Sequence, residues 1–140
     1  MYVLDSSVAL KWFLGEPDSD KALRLRDDAR AAVHELLAPD FFPVEVTHAI
    51  TRAERQGRIT PAEGSSFVTD LLAELPDLHP SLPLLPRAYV LSSLFRQGVY
   101  DCIYVALAER EGCELVTADD KLVKNLRVTF PFVVSLASMP

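Results

Sequence analysis

Residues 99–120 read VYDCIYVALAEREGCELVTADD, and the fold turns on how this stretch divides. From Asp101 to Glu111 apolar side chains fall around most of the circumference of a 3.6-residue period. The segment is therefore predicted to be a helix packed on both sides, not a surface helix with one dry stripe. Gly112 ends it, since glycine readily takes the left-handed turn that closes a helix. CELVTAD, residues 113–119, is then a short apolar run that closes on a carboxylate, which reads as a buried strand with Asp119 at its carboxyl end.

The amino terminus repeats that ending. Tyr2–Leu4 reads as a short buried strand that stops at Asp5. Ser6 or Ser7 is expected to cap a helix carrying Val8, Ala9, Trp12 and Phe13, which Pro17 ends. A second helix is predicted over 18–32, with Ala22, Leu23, Leu25 and Ala29 facing inward, and a strand over 35–38. Pro43 suits the first turn of a third helix, where its missing N–H costs nothing, and Val46, Ala49, Ile50 and Ala53 share one face before Gly57 stops it. Thr60-Pro61-Ala62-Glu63 is a capping box, so another helix runs from there to about residue 75. The proline-dotted residues 75–86 leave room for a short strand at most. Ala88, Leu91, Leu94 and Phe95 mark a helix stopped at Gly98, and FPFVVSL, residues 130–136, reads as a last strand. Short apolar strands alternating with helices give an α/β fold: an open parallel sheet of four to five strands with helices on both faces.

With 140 residues the chain suits one domain with one core. Cys102 and Cys113 lie in apolar company and read as buried thiols. No apolar run approaches the ~20 residues a bilayer span requires, and no basic-then-apolar leader precedes the first strand, so a soluble cytoplasmic protein is expected. The net charge of −6 argues against a nucleic-acid partner unless some acids hold divalent cations, which would supply the missing positive charge.

Four acids invite that reading. In open parallel sheets ligands bind beyond the carboxyl ends of the strands, where Asp5 and Asp119 both lie. Glu45 sits in the first turn of its helix, beside the apolar face, and Asp101 opens the buried helix with no solvent-facing stripe to account for it. Singly, each has an ordinary explanation: Asp5 and Asp101 as N-caps, Glu45 as a favourable charge at a helix N-terminus, Asp119 as the start of a turn. Together, crowded carboxylates repel, and a hard dication such as Mg²⁺ or Mn²⁺ removes that penalty. A metal-dependent phosphodiesterase site is the reading that results.

The motifs in order are DSS at Asp5, P-x-x-x-x-x-E-V ending at Glu45 and Val46, YD-x-x-Y-x-ALA from Tyr100 to Ala108, and T-x-D-x-x-L from Thr117 to Leu122. In this order, over nearly the whole chain, they resemble PIN-domain ribonucleases, and among them the VapC-type toxins of toxin–antitoxin pairs. SVALKWF after Asp5 strengthens the likeness. The resemblance implies a single PIN-like domain over 1–140. It also implies a Mg²⁺- or Mn²⁺-dependent endoribonuclease whose acidic quartet is Asp5, Glu45, Asp101 and Asp119. Ser6 and Thr117 stand where the family carries small hydroxyl residues that steady the site, and Asp120 beside Asp119 is either a supporting acid or a solvated turn residue. A VapB-like antitoxin, an RNA substrate and a homodimer are the partners it implies. His48 replaces a frequent family asparagine and reads as a surface residue.

Two other readings of Asp5 fail on the sequence. A haloacid-dehalogenase-type phosphatase needs a second Asp two residues on, where Ser7 stands, and a receiver domain needs an acidic pair and a late lysine that are missing. The alternative from another class is a non-catalytic PIN-fold module that binds RNA or protein. For RNA docking, Lys11, Arg52, Arg55, Arg58, Lys121, Lys124 and Arg127 trail three of the four acids. Trp12 and Phe13 are candidates for base stacking or for an exposed apolar contact with the antitoxin, against a plain core role.

Overall fold

Tyr2–Leu4 forms β1, the middle strand of a five-stranded parallel sheet in a computed structural model that describes all of residues 1–140. On one side lie β2 (Leu36–Pro39) and then β3 (Asp77–His79); on the other lie β4 (Glu114–Thr117) and then β5 (Val133–Ser135). Val3 and Leu4 point to opposite faces, as successive strand residues do, and both are fully buried, as are Leu115 and Val116. The sheet is thus covered on both sides, as the continuous apolar runs require.

Seven helices supply the cover: α1 (Ser6–Leu10), α2 (Ser19–Arg30), α3 (Phe42–Arg55), α4 (Pro61–Ala73), α5 (Leu85–Phe95), α6 (Val99–Glu111) and α7 (Asp120–Leu126). Helix α6 lies against β1, β2 and β4 on one side and α5 on the other. Every residue from Cys102 to Ala108 is buried, which explains its lack of a polar face. Gly112 closes α6 at φ +65°, a conformation that disfavours any residue with a Cβ. The capping box of α4 is complete: Glu63 N–H donates to Thr60 Oγ1 at 3.1 Å, and Thr60 N–H donates to Glu63 Oε1 at 2.9 Å. No helix is long and apolar enough to cross a membrane.

Several expectations need correction. The first helix stops at Leu10, so Trp12 and Phe13 follow it in a turn. Trp12 is not an exposed aromatic: it is 9% exposed, and its Nε1–H donates to Ala22 O at 3.0 Å. Of the residues that mark α5, Ala88 and Leu91 are buried and Phe95 packs against the core, whereas Leu94 is 70% exposed. Strand β2 includes Pro39, whose position at the strand's last residue costs little. Cys113 is half-buried, unlike Cys102. Helix α7 was not expected at all, although Leu122, Val123 and Leu126 repeat at helical spacing and all three are buried.

Candidate active site

The parallel register of β1 and β4 brings the first two acids together. Leu4 pairs with Val116, and Asp5 N–H donates to Val116 O at 3.1 Å, so Asp5 and Asp119 leave adjacent strands at one sheet edge. Glu45 lies in the first turn of α3 and Asp101 in the first turn of α6. One turn after Asp101, the buried Tyr104 hydroxyl donates to Glu45 Oε1 at 2.8 Å and ties α6 to α3. The ordinary explanations divide the acids. Asp5 occupies the N-cap position of α1 but makes no cap hydrogen bond, and the N-cap of α6 is Gly98, not Asp101. Asp119 is a true N-cap, accepting from the N–H groups of Lys121 and Leu122.

Each of the four carboxylates is held through one oxygen. Asp5 Oδ2 accepts from Ser7 Oγ and from Thr117 Oγ1, both at 2.7 Å. Glu45 Oε1 is held by Tyr104, and Asp101 Oδ2 accepts from Gln97 Nε2 at 2.8 Å. Asp119 Oδ1 accepts its two cap bonds at 3.0 and 3.3 Å. The second oxygen of each acid receives no hydrogen bond of good geometry from the protein. The hydroxyls that clamp Asp5 are themselves fixed: Ala118 N–H donates to Ser7 Oγ and Asp119 N–H to Thr117 Oγ1, each at 3.0 Å.

The electrostatics show the cost of this arrangement. Burial pushes the Asp5 carboxyl above its ordinary range; the Thr117 and Ser7 hydroxyls pull it back, and the charges of Asp101 and Asp119 raise it again. Burial likewise raises Glu45, with the Tyr104 and Ser6 hydroxyls opposing and Asp5 and Asp101 adding to the rise. Burial raises Asp101 against the Gln97 amide, and Asp119 contributes. The four acids therefore share one electrostatic neighbourhood. No three of them are drawn together closely enough to cage an ion by themselves. One oxygen of each acid is left without a protein donor, and a hard cation that keeps several waters needs only a few such carboxylate oxygens. The donor set is all oxygen, which fits Mg²⁺ or Mn²⁺ and not a soft ion.

The remaining expected contacts scatter. Ser6 stands beside Glu45 and Tyr104 and favours the Glu45 charge, while Thr117 clamps Asp5 directly. Asp120 is the first residue of α7, and its exposed side chain makes no hydrogen bond within the protein. Lys11 and Arg58 both pair with Glu16, at 3.6 and 3.0 Å. Arg52, Lys121, Lys124 and Arg127 are exposed and form no ion pair. Phe13 is half-buried and stacks on Phe67 with centroids 5.3 Å apart. The two aromatics line a groove of about 390 Å³ with Arg26, Arg30, Phe67 and Glu74. Another cavity, of about 810 Å³, opens beside Met1, His34 and Leu36 at the amino edge of the sheet.

Sequence reasoning missed Ser7, Gln97 and Asn125 as parts of the site. Ser7 was legible as the second hydroxyl of DSS. Gln97 lies only four residues before its partner Asp101, but in a turn with no motif of its own, and Asn125 carries no local signal because its partners lie 28 and 30 residues away.

Comparison with known proteins places this geometry in a family. A model described as the PIN domain matches residues 2–126. Ribonuclease VapC12 of Mycobacterium tuberculosis is 38% identical over 126 residues, 89% of this chain and 92% of that protein. Ribonuclease VapC3 of Pyrobaculum aerophilum is 30% identical over 135 residues, 95% of this chain and 97% of the relative. Among solved structures, PAE2754 from Pyrobaculum aerophilum superposes with a TM-score of 0.70 at 21% identity, over 97% of this chain and 90% of that one. Mycobacterium tuberculosis VapC20, described as a sarcin-ricin loop cleaving toxin, gives 0.60 at 14% identity, over 89% and 94%.

Proposed function

The chain belongs to the PIN-domain family and, within it, to the VapC ribonucleases, and on that premise we propose that it is an endoribonuclease toxin whose reaction takes place at the acidic edge of the sheet. The observation that carries the reading is the half-held state of all four carboxylates. Asp5, Glu45, Asp101 and Asp119 would hold Mg²⁺ or Mn²⁺ through their free oxygens. Such an ion acidifies water and neutralises charge that develops on a phosphoryl group. The protein's own part is positioning. Ser7, Thr117, Tyr104, Gln97 and the α7 amides fix one oxygen of each acid, so the free oxygens need no reorganisation when a cation arrives. Arg52, Lys121, Lys124 and Arg127, exposed and unpaired, are the cations available to RNA phosphates.

The test is cleavage of single-stranded RNA with Mg²⁺ or Mn²⁺, and again with chelator. Asp5→Asn or Asp101→Asn should lower the rate by about 100-fold or more, equivalent to roughly 2.7 kcal/mol of transition-state stabilisation, while circular dichroism stays native. Full activity in either variant, or in chelator, sinks the reading.

As a toxin the chain would act in the cytoplasm and be held by a VapB-like antitoxin. The groove beside Trp12, Phe13 and Phe67 offers an apolar floor with charged walls for an antitoxin segment. A second copy of the chain suits the exposed apolar side chains of the α5 region, among them Leu82, Tyr89 and Leu94, each 70–75% exposed.

A further inference from the structure

The turn between α5 and α6 is built around a strained residue. Arg96 closes α5 at φ 53°, the left-handed region that favours glycine, and Gln97 follows it. Four contacts hold the turn, the weakest from Cys102 Sγ–H to Gln97 O at 3.8 Å. Ser92 Oγ donates to Gln97 O at 2.6 Å, Asn125 Nδ2 donates to Phe95 O at 3.0 Å, and the same Asn125 amide donates to Gln97 Oε1 at 3.0 Å. Gln97 Nε2 then donates to Asp101 Oδ2 at 2.8 Å. The direction of both amides is forced from the ends: a backbone carbonyl and an ionised carboxylate can only accept. Asn125 must therefore present its NH₂ to Phe95 O, and Gln97 its NH₂ to Asp101, which leaves Gln97 Oε1 to accept the bond between them.

Asn125 lies in the last turn of α7, and Asp119 is the N-cap of that helix. One seven-residue helix thus holds Asp119 at one end and reaches Asp101 from the other, through Gln97. We propose that Gln97 and Asn125 are positioning residues. Together they make α7 a spacer that sets the separation of Asp101 and Asp119 and keeps Asp101 Oδ1 turned toward the cation. The inference rests on the reading of the acids as a metal site. Both residues lie at the surface, Gln97 half-buried and Asn125 exposed, so neither is needed to fill the core. Loss of a partner that orients a metal ligand costs about 10–100-fold in metal affinity.

The experiment is a Mn²⁺ titration followed by electron paramagnetic resonance on the wild type, Asp101→Asn, Gln97→Met, Asn125→Leu and the double variant Gln97→Met/Asn125→Leu. Melting temperatures in chelator are measured beside it. Gln97→Met keeps length without the donor, and Asn125→Leu removes a residue that does not touch Asp101. Each single variant should bind Mn²⁺ about 10-fold more weakly or worse. The double variant should be no weaker than Gln97→Met, because residues in one chain of bonds act as a unit. Native affinity in Gln97→Met overturns the proposal, as does a lowered melting temperature with unchanged affinity, or additive losses in the double variant. If Gln97→Met fails to fold, the comparison of Asn125→Leu with wild type decides it. If the wild type binds no Mn²⁺, or binds it as well without Asp101, the metal reading itself fails, a result distinct from normal binding with an indifferent Gln97.

Discussion

Asp5 concentrates the chemistry of the site in one residue. Its side chain has no exposure to speak of, it shares a neighbourhood with other acids, and its main relief is two hydroxyls on one oxygen. Its carboxyl is raised above the ordinary range, chiefly by burial. Such a group contributes stability that is fully present below its unfolded value, near about 4, and is lost as pH rises through the folded value. Asp5→Asn keeps an oxygen for Ser7 and Thr117 and removes the charge. Metal-free Asp5→Asn should therefore melt above the wild type at pH 7, with the gap closing as pH falls to about 4. Calorimetry in chelator across that range checks it; a variant less stable than wild type at pH 7 would show that the charge is compensated by the fold alone. Cys102 offers a second check at this scale. Its thiol is fully buried and pushed up to about 11 by burial, with Asp101 adding to the rise. Alkylation at pH 8 should spare Cys102 in native protein and label it in urea, since thiolate is the reacting form; prompt native labelling would mean that α6 opens.

At the scale of elements, helices α1, α3, α6 and α7 each begin near the four acids. Helix α7 makes the clearest case, because Asp119 is its N-cap and, in the proposed reading, would also be a site acid. Asparagine caps as well as aspartate, whereas alanine costs about 1 kcal/mol. In chelator, Asp119→Asn should match or exceed the wild-type melting temperature and Asp119→Ala should fall below it, while both lose cleavage. Equal melting of the two variants would mean that the cap bonds do not matter. The same helix marks the limit of what the sequence discloses. Buried strands, the capping box at Thr60 and the all-apolar α6 are local patterns, so they were legible, and topology then carried Asp5 and Asp119 to one edge. The short α7 was passed over because TADD reads equally well as a turn. The clamps were out of reach for a different reason. Thr117 to Asp5 spans 112 residues and Tyr104 to Glu45 spans 59, and no local pattern encodes which hydroxyl meets which carboxylate. Trp12 shows the opposite failure. Its aromatic face suggested a partner, yet its N–H had already been satisfied by Ala22 inside the core.

At the scale of the whole molecule, a chain of net charge −6 has to bind a polyanion. In the proposed reading the exposed cations of α3 and α7 would answer part of this, on the two helices whose first turns lie at Glu45 and Asp119. A cation held at the acids would answer the rest by reversing the local charge, which would make metal binding a matter of stability as well as of catalysis. Three of the acids, Asp5, Glu45 and Asp101, are raised mainly by burial and further by neighbouring acids. An ion that binds only the folded chain lifts its stability by RT ln(1 + [L]/Kd), ~2.7 kcal/mol at a hundredfold excess over Kd. For a chain of this size that is roughly 5–10 °C in melting temperature. Mn²⁺ should produce such a rise in wild type. The rise should persist at moderate NaCl, because pairs held by buried acids are screened far less than surface charges. RNA affinity should instead fall steeply with salt, since it depends on exposed lysines and arginines. Scanning calorimetry with Mn²⁺ at two salt concentrations, beside RNA binding measured under the same conditions, separates the two. A melting temperature indifferent to Mn²⁺ at concentrations that saturate cleavage would mean that the acids hold no ion in the free protein, and that the cation arrives only with the RNA.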